Sequence, residues 1–598
     1  MVIPSDLSAA LEALPEDPRF ELRSGWMEHD NGSWYFQFQA RLSVDSTLHV
    51  PEWTAWCLVV KSNLTDPDVQ IYPDVEGGIT ATFPHQNYNG NQPEGVPWRL
   101  GKPCLERPSA IFQRSGWGGE PADFIDRLVW RIGRLFLWID AAANGDLMKE
   151  GDPLELPIYP VLDTTAVLGF WETPEDLSWL DERENIWGFA TISSIPRARA
   201  TAVVSSFMNP QRKTLRRIGW SKAIFTDRNR IDAVWIVLPR LVVLDPWRSA
   251  STWEELSYLF AAVDINLPQI LSDAGARLRR IHRPKHANPT HLIIGFPLEE
   301  HVGDHAQRFH WIAIRNMQLC TRDDIRNGYS DKPKARRQWD RDFALSTRAL
   351  EWRRTANWAP DQLRKRGEAE NEVRSKSVLI MGVGTLGASI AENLLRMGVT
   401  KMALLDNDRM LIGNLSRHSL TMEDAGHLKA ERLAERLNMA APDANVMALP
   451  FAFPPTTEAQ IKKFAGWDVI IDCTASDNVL HAMACFPWIT ERLFISLAMT
   501  WEAQGLFVYT ASETGFPAID ALERFAAVSS SPSVERLGDM EGIGCWHPVF
   551  PATADDVNLW GAIGSKFIRK AILDRKKVAA IFVQQEDGSV ERRDAQAD

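Results

Sequence analysis

Two sets of residues in this 598-residue chain are of types and spacings that do chemistry. The first begins at Gly382, Gly384 and Gly387, which stand in the order G-x-G-x-x-G within SVLIMGVGTLG (377–387). Glycines at that spacing let a chain turn sharply from a strand into a helix. Backbone N–H groups and the positive helix end then point at the turn and cradle a phosphate. Asp406 follows the last glycine by 406 − 387 = 19 residues, the separation at which an acid meets a ribose in a dinucleotide fold, so the glycines and this acid fit NAD as well as ATP. The second set is two cysteines in turn-rich contexts, Cys104 in RLGKPCL and Cys545 in GIGCWHP.

Elements must position these residues. Val378 to Met381 is a continuous apolar run, as in a strand buried on both faces of a parallel sheet. Leu386, Ile390, Leu394 and Met397 then form one helical stripe. Further strand runs at 401–405, 446–449, 469–471, 494–499 and 506–509 alternate with helical stretches, which predicts a doubly wound, mostly parallel α/β sheet. Cys473 and Cys485 fall at a strand end and in an apolar helix and read as core. A capping pair, Thr553 with Asp556, opens a last helix striped by Val557, Trp560, Ile563, Phe567 and Ala571, and the final dozen residues read as a frayed polar tail.

Around Cys104 the pattern is α+β. A short helix carries Leu7, Leu11 and Leu14; Trp34 to Leu42 alternates apolar and polar as a half-buried strand does; strands follow at 56–60 and 70–72. After a loop over 81–108, Phe124, Leu128, Ile132, Leu135 and Ile139 mark a helix. Between these ends, runs at 233–238, 291–296 and 311–314 predict strands in a mixed α/β middle region, and the charged stretch 322–376 reads as a helical connector. His282, His286, His291, His301 and His305 lack the accompanying carboxylates or thiolates of a metal site and read as ordinary histidines.

Composition narrows the functional classes. Hydrophobic residues at 45% and charged residues at 24% are those of a folded globular chain. A net charge of −12 argues against a nucleic-acid-binding surface, and the basic runs 277–283 and 332–337 read as solvated faces. No apolar run reaches membrane-spanning length and the first 21 residues lack the basic start of a signal peptide, so a cytoplasmic location is expected. Six scattered cysteines make no disulfide framework.

LLDNDRMLIGNLSRH (404–418), Lys429 and DCTASDN (472–478), taken with the glycine turn, resemble the ATP-dependent activating enzymes of the ThiF, MoeB and ubiquitin-activating (E1) type. The matches are Asp406 and Asp408, Asn414, Leu415 and Arg417, Lys429, and Asp477 with Asn478. The resemblance implies that ATP binds at the glycine turn and that Asp406 accepts from the ribose hydroxyls. It further implies that Arg417 and Lys429 neutralise the phosphates and departing pyrophosphate, and that Asp477, with Asp472 second, holds Mg²⁺. It also implies an acyl-carrying thiol after the sheet, where Cys545 stands. The region around Cys104 is similar to a ubiquitin-conjugating (E2) domain: Phe83-Pro84-His85-Gln86-Asn87 stands where such domains carry His-Pro-Asn, in altered order and 17 residues before the cysteine, and Lys102 offers a positive charge that favours a thiolate.

Together the two ends resemble the bacterial E1–E2 fusion proteins of CBASS antiphage operons. That implies three domains: a ubiquitin-conjugating-like domain over 1–146, a middle domain over 147–370 and an adenylation domain over 371–598. It also implies a homodimer that adenylates the C-terminal carboxylate of a cGAS-like nucleotidyltransferase or ubiquitin-like partner, passes it to Cys545 and then Cys104, and joins it to a target amine. Competing readings are an adenylyltransferase for a sulfur-carrier protein, which has no need of Cys104, and an NAD-binding oxidoreductase or nucleotide-sensing scaffold, in which Arg417, Lys429 and Asp477 stand idle.

Overall fold

A computed structural model describes residues 5–595 apart from 15, 30–31, 61–67, 91, 106–119, 181–185, 197, 199–200, 225–229, 281–289, 321–331, 529–539, 542–546 and 549–551. The chain divides into two compact units, one made chiefly of residues 1–192, 199–217 and 230–356, the other chiefly of 357–598.

Among the described residues the first unit holds two sheets. Trp34–Arg41 is the alternating strand expected from its sequence, with Trp34, Phe36, Phe38 and Ala40 buried. It pairs antiparallel with Phe20–Leu22 on one side and Trp53–Val60 on the other, and Trp53–Val60 pairs with Val69–Pro73. The helix Phe124–Asn144 covers this sheet through Leu128, Ile132, Leu135 and Ile139, all fully buried. Asp123 caps it, accepting from the Ile125 and Asp126 N–H groups. The second sheet has eight strands, including Arg230–Val237, His291–Leu298 and Arg308–Ile314. Its strand Trp352–Asn357 corrects the reading of 322–376 as a purely helical connector. Of that strand only Trp352 is buried, so a charged sequence, WRRTAN, hides no apolar alternation to be seen. Helix remains at Pro333–Ala344. His291 is a core histidine held by Thr290 and Arg353; His282 and His286 lie outside the described residues.

In the second unit, eight strands lie in the order Asn445–Leu449, Lys401–Leu405, Val378–Met381, Val469–Asp472, Arg492–Met499, Gly505–Glu513, Val578–Gln584, Val590–Asp594. The first five are mutually parallel and the last three antiparallel. In chain order the parallel strands read 3-2-1-4-5, so the direction of winding reverses between Val378–Met381 and Val469–Asp472. A crevice opens at the carboxyl ends of strands at such a point. The final strand, Val590–Asp594, corrects the expectation of a frayed tail: Val590 and four charged residues pair along an edge, with Arg592 and Arg593 ion-paired to Asp594 and Glu591.

Two contacts hold the helix that follows the glycines. The helix Ala554–Asp574, opened by the expected Thr553–Asp556 capping box, lies so close that a Cβ on Gly561 would overlap the Ser389 hydroxyl. Arg364, buried, forks onto Asp443 at 2.6 and 2.8 Å and reaches the Leu395 carbonyl at the helix end. Both partners are 5% exposed, so losing one strands a buried charge. Asp443→Ala is expected to lower stability by about 3–5 kcal/mol, measured by chemical denaturation; a loss below about 1 kcal/mol would show that water reaches Arg364.

Candidate functional site

At the reversal point a cleft of about 380 Å³ is lined by Gly382, Gly384, Asp406, Asp408, Lys429, Cys473, Thr474 and Ser476, with Phe451, Phe453 and Val479 as an apolar wall. The three glycines do three separate jobs. Gly382 has φ of +78°, and a Cβ there would sit 2.9 Å from the backbone of Cys473 and Thr474. Gly387 packs the helix onto the turn, since a Cβ would overlap the Gly382 carbonyl oxygen. Gly384 has nothing within 4 Å of its Cβ position. It is the N-cap of Thr385–Met397 with no side-chain cap, so the first N–H groups of the helix open onto the cleft without a side-chain acceptor.

Acceptors and cations surround that opening. Asp406 accepts from the N–H of Val383 at 2.9 Å and of Asp408 at 2.7 Å, pinning the glycine turn to the following loop. Burial holds its carboxyl above its ordinary value, opposed by the Asp408 N–H and the Lys429 charge. Each of its oxygens keeps a second lone pair. Lys429 is 11% exposed, begins the helix Lys429–Ala440 and reaches Asp408 Oδ2 at 3.2 Å. This places one cation on the cleft wall, held by an exposed carboxylate that a more anionic ligand can outbid.

Not every expected residue lines the cleft. Asn414 and Arg417 lie in and just after the 3₁₀ turn Ile412–Ser416; Asn414 accepts from the Leu411 N–H at 3.1 Å, and Arg417 is partly exposed at the end of the turn. Asp477 is the first residue of the helix Asp477–Cys485 and is exposed. Asp472, by contrast, is buried, accepting from Thr474 and Ser496, so its oxygens hold the strand end together. Among the described residues no group of three or more carboxylates, histidines and cysteines is placed to hold a metal by itself.

His418 is a residue that motif reading passed over. It is buried; its Nδ1 accepts from the Leu420 N–H at 3.1 Å, which leaves Nε2 to donate to the Val383 carbonyl at 3.0 Å. Burial pushes its imidazole below the ordinary value, so a neutral ring braces the glycine turn opposite Asp406. Only its place directly after Arg417 could have signalled this.

Cys473 lines the cleft, but burial raises its thiol well above its ordinary value and keeps it protonated. Cys485 is exposed at a helix end, which corrects its reading as core. Cys545 lies outside the described residues.

A second cleft, of about 310 Å³, lies in the first unit and is lined by His85, Asn87, Lys102, Cys104, Arg131 and Glu155 among others. Seventeen residues separate Asn87 from Cys104 in sequence, yet the two segments pair: Asn87 N–H donates to Lys102 O at 2.9 Å and Cys104 N–H to His85 O at 2.7 Å. Buried Gln86 ties the pair together, accepting from Phe83 and donating to Gly101. His85 and Asn87 are thus brought beside Cys104 in spite of the long intervening loop.

A doubly wound sheet with a phosphate-type cradle at its reversal point, joined in one chain to an α+β region with a cysteine-lined cleft, defines an α/β protein of the nucleotide-binding class. Comparison with known proteins gives the family. The model of the Cap2 central linker domain matches residues 145–358 and that of the ThiF family residues 360–487. The chain is 44% identical over 591 residues, 99% of its length, to the ATP-dependent ubiquitin transferase-like protein Cap2 of Enterobacter hormaechei subsp. hoffmannii, covering 98% of that protein. It is 37% identical over 180 residues to ubiquitin-like modifier-activating enzyme 5 of Aedes aegypti, and 32% identical over 112 residues to a sulfur carrier protein adenylyltransferase of Thermus thermophilus. These stretches are 30% and 19% of this chain and 42% and 40% of those proteins. The chain belongs to the Cap2 family of ATP-dependent ubiquitin transferase-like proteins. No helix among the described residues is long and apolar enough to cross a membrane.

Proposed function

We propose that the chain adenylates the C-terminal carboxylate of a partner protein, carries the acyl group as a thioester on Cys545 and then on Cys104, and joins it to a target amine. The observation that carries the reading is Gly384: an open Cβ position at an uncapped helix start, facing Lys429 across a polar cleft. ATP fits there, with its phosphates on the helix start and Lys429, its ribose near Asp406 and Asp408, and its base against Phe451 and Phe453. The partner carboxylate attacks the α-phosphorus and pyrophosphate leaves, with Lys429 and Arg417 offsetting the charge that develops.

Asp477 is the residue we assign to Mg²⁺, and Asp472 is set aside because its oxygens are engaged in the core. One exposed carboxylate suits magnesium, which takes its other ligands from phosphate and water and neutralises phosphate charge when bound. The partner is a cGAS-like nucleotidyltransferase or a ubiquitin-like protein with a free C-terminal tail, and the working form a homodimer in the cytoplasm serving antiphage defence. The domain limits 1–146, 147–370 and 371–598 go with this reading. An adenylyltransferase for a sulfur carrier would leave the Cys104 cleft without a task, and an NAD-dependent oxidoreductase would leave Lys429 without one.

The test is exchange of labelled pyrophosphate into ATP, expected only with Mg²⁺ and a C-terminal peptide of the protein encoded alongside this chain. Cys545→Ala is expected to keep exchange and lose thioester, and Cys104→Ala to accumulate thioester on Cys545. Full conjugation by Cys104→Ala would reject the second transfer.

A further inference from the structure

In the Cys104 cleft His85 is held through both its backbone and its ring, and its constraints are those of a proton acceptor. Its φ is +54°, a conformation non-glycine residues seldom adopt. One carboxylate oxygen, Glu155 Oε2, accepts from both the His85 backbone N–H at 2.9 Å and the ring Nδ1 at 2.8 Å. The His85 carbonyl accepts from the Cys104 N–H at 2.7 Å and the Trp138 Nε1–H at 3.3 Å. With Nδ1–H donating to Glu155, the neutral ring is the tautomer whose lone pair is on Nε2, the one polar atom of His85 with no hydrogen bond among the described residues. A carboxylate that fixes the tautomer and orientation of an imidazole beside a thiol is the arrangement that moves protons in acyl transfer. Glu155 lies in the stretch matched by the linker family model, so a residue from that stretch completes the cysteine cleft.

We propose that His85, oriented by Glu155, is the proton acceptor for aminolysis of the acyl group on Cys104; this rests on the reading of Cys104 as an acyl carrier. The amine lone pair forms the C–N bond, the C–S bond breaks, and its electron pair leaves on Cys104 Sγ. The nitrogen proton passes to His85 Nε2 and from there to the thiolate. Thioester and amine become amide and thiol, and no other reactant is consumed. His85 is the catalytic residue of this step and Glu155 the positioning residue. The charges facing the ring are Glu155 and Asp152, with Lys102, Arg131 and Cys104 on the other walls. The Glu155 hydrogen bond, opposed by burial and helped by the Glu155 and Asp152 charges, holds the imidazole above its ordinary value of 6.5.

The experiment loads the full chain from a small-molecule thioester of a glycine-ended peptide, follows the acylated Cys104 peptide by mass, and discharges it with an aminooxy compound that stays uncharged throughout the imidazole titration. Discharge by the unaltered protein should rise with pH through one inflection above 6.5, where Nε2 loses its proton. His85→Asn, whose side chain tolerates positive φ, should discharge roughly 100-fold more slowly and lose that inflection. Glu155→Gln keeps acceptors for both N–H groups and should move the inflection to lower pH while the protein stays folded. Equal rates and pH profiles in His85→Asn and the unaltered protein would overturn the proposal while leaving the relay standing. An unmoved inflection in Glu155→Gln would overturn it even if His85→Asn does not fold. Absence of any acyl group on Cys104 would remove both this proposal and the relay.

Discussion

Gly384→Ala is expected to fold normally and to lose ATP, whereas Gly387→Ala is expected to lose the fold of the same turn. The two substitutions add one methyl group each, three residues apart. At Gly384 the φ of −62° and ψ of −163° suit any residue, and the added Cβ meets nothing within 4 Å. Stability should change by less than about 1 kcal/mol, the scale of an N-cap exchange. The open space is where a phosphate must sit to reach the helix N–H groups, so the methyl costs one or two charge-assisted hydrogen bonds, and affinity should fall roughly 100-fold. At Gly387 the Cβ would run into the Gly382 carbonyl and come within 3.3 Å of Cys473 Cβ, the first of these a backbone atom that cannot swing aside. The helix must shift off the sheet, at a cost of about 3 kcal/mol. Denaturation curves and binding of a non-hydrolysable ATP analogue read the two effects separately. Unchanged binding in Gly384→Ala would place the phosphates elsewhere.

Lys429→Met should reduce pyrophosphate exchange by about 10²–10³-fold, the usual loss when one preorganised charge is removed from a developing anion. Lys429 is 11% exposed against 66% for Asp408, so the ammonium is sheltered while its present partner is not. Exchanging that partner for phosphate costs little, because an exposed ion pair contributes about 1 kcal/mol or less. Stability should therefore stay nearly constant while exchange collapses. Lys429→Arg should rescue poorly, since a planar fork cannot occupy the site of a compact ammonium at the start of a helix. Retention of exchange within about threefold, under 1 kcal/mol of transition-state energy, would make Lys429 a solvated partner of Asp408 and nothing more.

Much of the nucleotide end was legible in the chain itself. A strand buried on both faces shows as an apolar run, a strand-to-helix turn needs glycine where φ is positive or where backbones touch, and charge must be brought to phosphate. Val378 to Met381, Gly382 and Gly387 therefore declare themselves by residue type and spacing, and so does the helix Phe124–Asn144, whose stripe of Leu128, Ile132, Leu135 and Ile139 is buried throughout. Lys429, by contrast, was marked out by the resemblance to activating enzymes. Strands with few buried side chains were not legible. Trp352–Asn357, flanked on both sides within its sheet, and Val590–Asp594, at an edge, hide few side chains, so their residues carry no alternation and their strand character comes from backbone pairing.

What only the tertiary structure decided is which side chains bind the scaffold and which face a cleft. Asp472, ranked after Asp477 as a metal ligand from the sequence, is buried with its oxygens accepting from Thr474 and Ser496, whereas Asp477 is exposed at a helix start. Asp406 and His418 brace Val383 from opposite sides through hydrogen bonds between segments up to 35 residues apart. The order and the 17-residue gap set His85 and Asn87 apart from the His-Pro-Asn pattern, and pairing of 85–87 with 102–104 makes them neighbours of Cys104. Sequence determines the local turn, stripe and charge because those depend on near neighbours. Glu155 beside His85 depends on where two distant segments of one unit come to rest.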